Sequence, residues 1–242
     1  MSSSSRLLDT RGRGAVAPEF LVSPNMLDLV SPSGDRGGMM LGQGVKGEPL
    51  SVSVLRPTPT RMVVVGGLYL ARQIALRAMA TGAWIIIATG RPQAWQPVVR
   101  AAGQGPDGRP SQLVQLRRLS PADLPRPTED MPLLVIHDGG HVPQELFPPR
   151  APWQTTMYVL PYLHPQASST ANNADLVLLQ RLPMGQAQLA GQMWRLRPQM
   201  FQQLTQLKDD QVIAMGQDMW AHLRLYTTPA EQQILGAVRR GD

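Results

Sequence analysis

Two short stretches carry the residue types that could do chemistry. Val65-Gly66-Gly67-Leu68-Tyr69-Leu70-Ala71 follows an apolar run and opens an apolar helical pattern, which is where nucleotide-binding domains set a phosphate-contacting glycine turn. His137-Asp138-Gly139-Gly140-His141 ends another apolar run, and imidazole and carboxylate are the groups of acid–base catalysis and metal ligation.

Neither stretch meets the full requirement of its chemistry. A dinucleotide fingerprint is G-x-G-x-x-G, for a tight turn, close backbone approach to the pyrophosphate and close helix packing. Leu68 and Ala71 stand where its second and third glycines belong, and Thr89-Gly90-Arg91 replaces the acidic residue expected at the end of the next strand. Arg91 could meet a 2′-phosphate, so an NADP- or nucleotide-sugar-binding enzyme with a degenerate phosphate turn at Gly66, Gly67 and Arg91 is the alternative reading. No Lys follows the glycines, which excludes the usual phosphate-cradling P-loop. The preferred reading makes Gly66-Gly67 a strand-to-helix turn with glycine as N-cap. In the second stretch a Gly-Gly turn separates the two histidines, and only His164 and His222 remain as further imidazoles. A turn in which Asp138 accepts backbone hydrogen bonds explains the same residues without a metal. The chain has no cysteine and no G-x-S-x-G elbow, so no catalytic set assembles, and no cofactor, no metal and no enzyme activity are expected.

The elements that must position these residues follow from periodicity. Met62–Val65 and Trp84–Ala88 are continuous apolar runs, as strands covered on both faces require. Between them Ala71, Ile74, Ala75, Ala78 and Met79 recur at helical spacing, with Arg72, Gln73 and Arg77 on the opposite side and Gly82 as the stop. This predicts a right-handed βαβ unit. Further strands are expected at Leu113–Leu116, Leu133–Ile136, Thr155–Leu160 and Asp175–Leu179, with Pro- and Gly-rich loops between. Helical spacing returns from Ala187 to about Arg197 and again after Pro198. The end reads as a strand or pair of strands and a short helix capped by Thr228 with Glu231. Ahead of all this, Gly37 to Pro57 alternates polar and apolar residues about a Gly-bearing turn, a β-hairpin signature.

The expected fold is therefore α/β and Rossmann-like, a mostly parallel sheet with helices on both faces and an N-terminal hairpin. Residues 1–18, rich in Ser, Arg and Gly, are expected to be a disordered tail. Residues 19–242 are expected to form one domain: a hairpin at 34–57, a βαβ core at 61–182 and a helix-and-strand extension at 183–242.

Lys46 and Lys208 are the two lysines among 23 basic residues, so the net charge of +6 rests on arginine. Apart from Arg117-Arg118, with Arg109 and Arg126 nearby, the arginines do not cluster, and aromatics make up 5% of the chain. A nucleic-acid surface would concentrate basic residues on one face, so nucleic acid is not an expected partner; a protein surface is. No apolar run approaches the ~20 residues of a membrane span.

The run from Thr60 to Trp95, with LGQGVKGEPLSVSVLRP before it and PLLVIHDGG and ADLVLLQRL after it, resembles the soluble domain of EccE-type components of actinobacterial type VII (ESX) secretion systems. The resemblance spans about Gly34 to Leu182. It implies a non-catalytic structural or accessory subunit with EccB-, EccC- and EccD-like partners, cytoplasmic or peripheral at the cytoplasmic face of the inner membrane. Relatives in that family carry two N-terminal transmembrane helices where this sequence has a polar tail, so recruitment through protein contacts is expected. Arg91 and Trp95, in the family-like Arg-Pro-Gln-Ala-Trp run, are the expected partner contacts.

Overall fold

The computed structural model describes residues 38–105, 109, 111–118, 124–141, 150–216 and 219–238. The tail expected over residues 1–18 lies outside them.

Among the described residues, ten strands form one sheet in the order β2-β1-β10-β9-β8-β3-β7-β6-β4-β5. Six are mutually parallel: β3 (Thr60–Val65), β4 (Trp84–Thr89), β5 (Val114–Leu116), β6 (Leu133–Asp138), β7 (Gln154–Leu160) and β8 (Leu176–Leu179). On the β8 side the sheet continues antiparallel through β9 (Gln211–Met215), β10 (Trp220–Leu225), β1 (Gly38–Gly44) and β2 (Pro49–Ser53). The expected hairpin is thus β1–β2, and it borders the sheet through β10, so segments far apart in sequence close one edge together.

The parallel strands are apolar throughout because both faces are covered. Met62 and Val64 point into a core roofed by α1 (Leu68–Ala80), α2 (Pro92–Ala101) and α6 (Pro229–Leu235), while Val63 and Val65 point into a second core. That second core is roofed by α4 (Met184–Trp194) and α5 (Pro198–Gln206), beside the short α3 (Ser168–Asn172). Each such Val or Ile contributes about 1.5–3 kcal/mol by leaving water.

Two local expectations need correction. Helix α1 has no solvent face: Arg72 and Gln73 are buried and Arg77 is largely so, because α6 and β1 lie over the side that the spacing assigns to water. Helix α2 is not anticipated by the spacing, since Pro97 interrupts it and removes a backbone donor. Pro92 at its first turn and the burial of Trp95 and Val98, three residues apart on one face, hold it in place.

Candidate functional site

Helix α1 carries the chain from β3 over one face of the sheet to β4, whereas the connection from β7 crosses the other face to β8. Where connections diverge in this way, a crevice opens beyond the carboxyl ends of the strands, and α/β proteins use that crevice for ligands. Here that point falls at the neighbouring strands β3 and β7.

Gly66 leaves β3 with its N–H donating to Leu160 O at 2.9 Å, and the N–H of Gln180 donates to Val65 O at 3.1 Å. Gly66 sits at φ +139°, and a Cβ on it would meet Gln180 Oε1 at 2.2 Å. Glycine is therefore required on two counts, backbone conformation and space. Gly67 is the N-cap of α1, and no side chain accepts a hydrogen bond at that cap. The first-turn N–H groups of a 13-residue helix are thus left without a side-chain partner. Over Gly66 lies the Gln180 carboxamide, 2% exposed, with neither its oxygen nor its nitrogen hydrogen-bonded. Gln180 was not among the expected site residues. Its signal in the sequence is a polar residue directly after the apolar run Leu176–Leu179.

The other stretch is taken apart by strand alternation. Asp138 turns toward α2 and His137 toward the opposite face, so the two cannot share a ligand. Asp138, 2% exposed, accepts from Trp95 Nε1 and Thr89 Oγ1 at 2.8 Å each and from Arg91 through Nε and a terminal nitrogen, the latter at 2.8 Å. His137 stacks on Tyr158 with ring centroids 4.8 Å apart, and burial lowers its pKa to about 4, so the ring is neutral at pH 7. Burial also pushes the Tyr158 phenol up, against the pull of Arg61 and Arg150. His141 instead stacks on Tyr162 and meets His164 edge-on. Among the described residues, no three His, Cys, Asp or Glu side chains gather closely enough to hold a metal ion.

The guanidinium of Arg91, expected at a 2′-phosphate or a partner, is bonded to Asp138 through Nε and one terminal nitrogen. Trp95, expected as a partner contact, is fully buried in the core and donates to Asp138; Arg91 alone of the pair reaches the surface, its side chain 37% exposed.

No protein-family model and no curated protein matches the sequence. Solved structures do match in fold. VirB4 of Thermoanaerobacter pseudethanolicus is similar with a TM-score of 0.56 at 8% identity, over 81% of this chain and 98% of that one. The pCW3 conjugation coupling protein TcpA, in a monomer form with ATPγS, is similar with a TM-score of 0.51 at 8% identity, over 84% of this chain and 71% of that one. The cytoplasmic domain of the type VII secretion ATPase EccC of Thermomonospora curvata has a TM-score of 0.49 at 10% identity, over 87% of this chain and 32% of that one. The α/β fold with its mostly parallel sheet is therefore one that VirB4 and TcpA share. This corrects the expectation that the chain is not an enzyme: its fold is shared with VirB4 and with TcpA, the latter in a form with ATPγS. No helix among the described residues is long and apolar enough to cross a membrane.

Proposed function

We propose that the chain is a component of a type VII-like secretion machine, working through contacts with the machine's other subunits, and that its sheet holds a nucleoside phosphate at the carboxyl edge of β3 and β8. The observation that carries this reading is the shared fold with VirB4 over nearly the whole of that chain, and with TcpA bound to ATPγS. The type VII assignment is supported by the EccE-type sequence pattern from Gly34 to Leu182, and it brings EccB-, EccC- and EccD-like proteins as partners at the cytoplasmic face of the inner membrane.

The phosphate place is supported by the site itself. Uncapped N–H groups at the start of α1 and the positive end of the helix favour an anion, and the Gln180 carboxamide lies over the same turn with a free donor. Contact there is through backbone and amide, because no lysine stands in the turn.

Two measurements test the two halves separately. Copurification from native cells with mass spectrometry is expected to recover secretion-machine subunits, and their absence overturns the secretion reading. Calorimetric titration of the purified chain with ATP and ATPγS, with phosphate release followed in parallel, is expected to show saturable binding that Gln180→Ala weakens roughly tenfold. No heat at millimolar nucleotide overturns the phosphate reading.

A further inference from the structure

A cavity of about 350 Å³ opens beyond β9 and β10, lined chiefly by Gln43, Asp210, Arg224, Tyr226, Thr227 and Gln232. Its position follows from strand register. Leu179 of β8 stands opposite Ile213 of β9, and Val212 of β9 opposite Leu223 of β10. Because β9 runs antiparallel to β8 and β10 to β9, the start of β9 and the end of β10 rise together past the edge where Gly66 and Gln180 stand. With neighbouring strands about 4.8 Å apart, β10 lies roughly 10 Å from β8, a span that the phosphate chain and ribose of a nucleotide bridge.

The cavity also shares a face with α1. Leu225 packs in the core beneath that helix, and Gln73 Nε2 donates to the Tyr226 carbonyl at 2.9 Å. The Tyr69 hydroxyl, from the first turn of α1, meets Thr227 Oγ1 at 3.5 Å. A ligand held by the first-turn N–H groups of α1 thus has this cavity beside it.

The lining supplies three kinds of contact. Tyr226, 47% exposed, offers an aromatic ring at the end of β10. Asp210 accepts from Arg224 Nε on Oδ2 at 2.6 Å, which orients the carboxylate and leaves it lone pairs for further donors. Its main-chain carbonyl accepts from the Leu225 N–H at 2.7 Å, so the residue is anchored at both ends. Gln43 and Gln232 add amides, each with donor and acceptor. A ring to stack on, a carboxylate for a diol and amides for the edge of a heterocycle suit a nucleoside.

From this we infer that the cavity takes the nucleoside half of the nucleotide whose phosphates lie at Gly66 and Gln180, its base on Tyr226 and its ribose hydroxyls on Asp210. The inference rests on the phosphate reading and adds to it a preference for ribonucleotides over bare phosphate chains.

Calorimetry on the full chain with ATP, 2′,3′-dideoxy-ATP, tripolyphosphate and adenosine tests it. The unmodified chain is expected to bind ATP roughly tenfold more tightly than dideoxy-ATP or tripolyphosphate, and adenosine saturably at roughly millimolar concentration. Asp210→Ala is expected to erase the difference between ATP and dideoxy-ATP. Tyr226→Ala is expected to weaken ATP and adenosine roughly tenfold and leave tripolyphosphate unchanged. Asp209→Ala, which removes the neighbouring carboxylate paired with Arg181, should alter none of these affinities. Tripolyphosphate or dideoxy-ATP binding as tightly as ATP overturns the inference and leaves the phosphate reading standing, and that comparison needs no variant. ATP binding indifferent to both Asp210→Ala and Tyr226→Ala does the same. Adenosine binding that Tyr226→Ala weakens, with no binding of tripolyphosphate, keeps the cavity and overturns the phosphate reading. Failure of all four ligands to bind overturns both.

Discussion

Asp138 and Gln180 stand at the same edge of the sheet and are opposite in their chemistry. Both carboxylate oxygens of Asp138 are engaged, Oδ1 by Arg91 and Oδ2 by Thr89, Arg91 and Trp95, whereas the Gln180 amide is buried with nothing to bond. Removing the acceptor strands several donors at once, so Asp138→Ala is expected to cost roughly 2–4 kcal/mol and Asp138→Asn distinctly less, read from urea denaturation. Removing the idle amide should do the reverse. Gln180→Met, close in volume and without a polar head, is expected to raise stability by about 1 kcal/mol while weakening nucleotide affinity in calorimetry. Such a trade of stability for function at one residue is what a ligand position predicts. Gly66→Ala meets both a positive φ and the Gln180 oxygen, and is expected to lower Tm by several degrees, at roughly 2–4 °C per kcal/mol for a chain of this size.

Among the elements, α6 shows how a short helix alters the character of a long one. Its capping box is legible in sequence and present: Thr228 Oγ1 accepts from the Glu231 N–H at 3.2 Å and the carboxylate accepts from the Thr228 N–H at 2.9 Å. What the spacing does not reveal is that the same carboxylate also accepts from Arg77 at 2.6 Å and from Gln73 at 3.2 Å. Arg77 reaches on to the carbonyls of Met40 and Tyr226, so α1, α6 and β1 are joined through one guanidinium. Burial works to raise the Glu231 pKa, but the bonds from Arg77, Thr228 and Gln73 outweigh it and the pKa is lowered. A carboxylate held below its unfolded value contributes stability that is complete above the ordinary pKa of 4.5 and is lost as pH falls through the folded value. Denaturation midpoints are therefore expected to drop below about pH 4.5 in the wild type, and Glu231→Gln is expected to flatten that acid limb. Where α4 ends, Arg195 sits at φ +51° and closes the turn while the Leu196 N–H donates to Gly191 O. Arg195→Gly is expected to gain about 0.5–1 kcal/mol in thermal or urea denaturation by relieving that conformation.

On the scale of the whole molecule, the sheet is closed on one side by a ladder in which β10 pairs with β1, and β1 with β2. Removing residues 38–53 would leave β10 with a row of unpaired backbone groups, a template for pairing between chains. Such a deletion is expected to raise the apparent mass and polydispersity above those of the full chain in light scattering behind size exclusion. The strands Met62–Val65, Trp84–Ala88 and Leu133–Ile136, the hairpin and the Thr228 cap were legible from sequence alone, because burial on both faces, period-2 alternation and capping leave local marks in a chain. The Gly66-Gly67 turn was legible in part, since the positive φ at Gly66 is a local demand, whereas the Gln180 side chain that also leaves no room for a Cβ there follows a distant strand. Partners across long sequence gaps leave no such mark. That Arg91 and Trp95 turn inward to Asp138, that Gln180 covers Gly66, that α1 has no wet face, and that Gln43 and Tyr226 line one cavity were decided only when the sheet order brought residues more than twenty positions apart together. Strand and helix periods record which face of an element is buried; they do not record what lies against it.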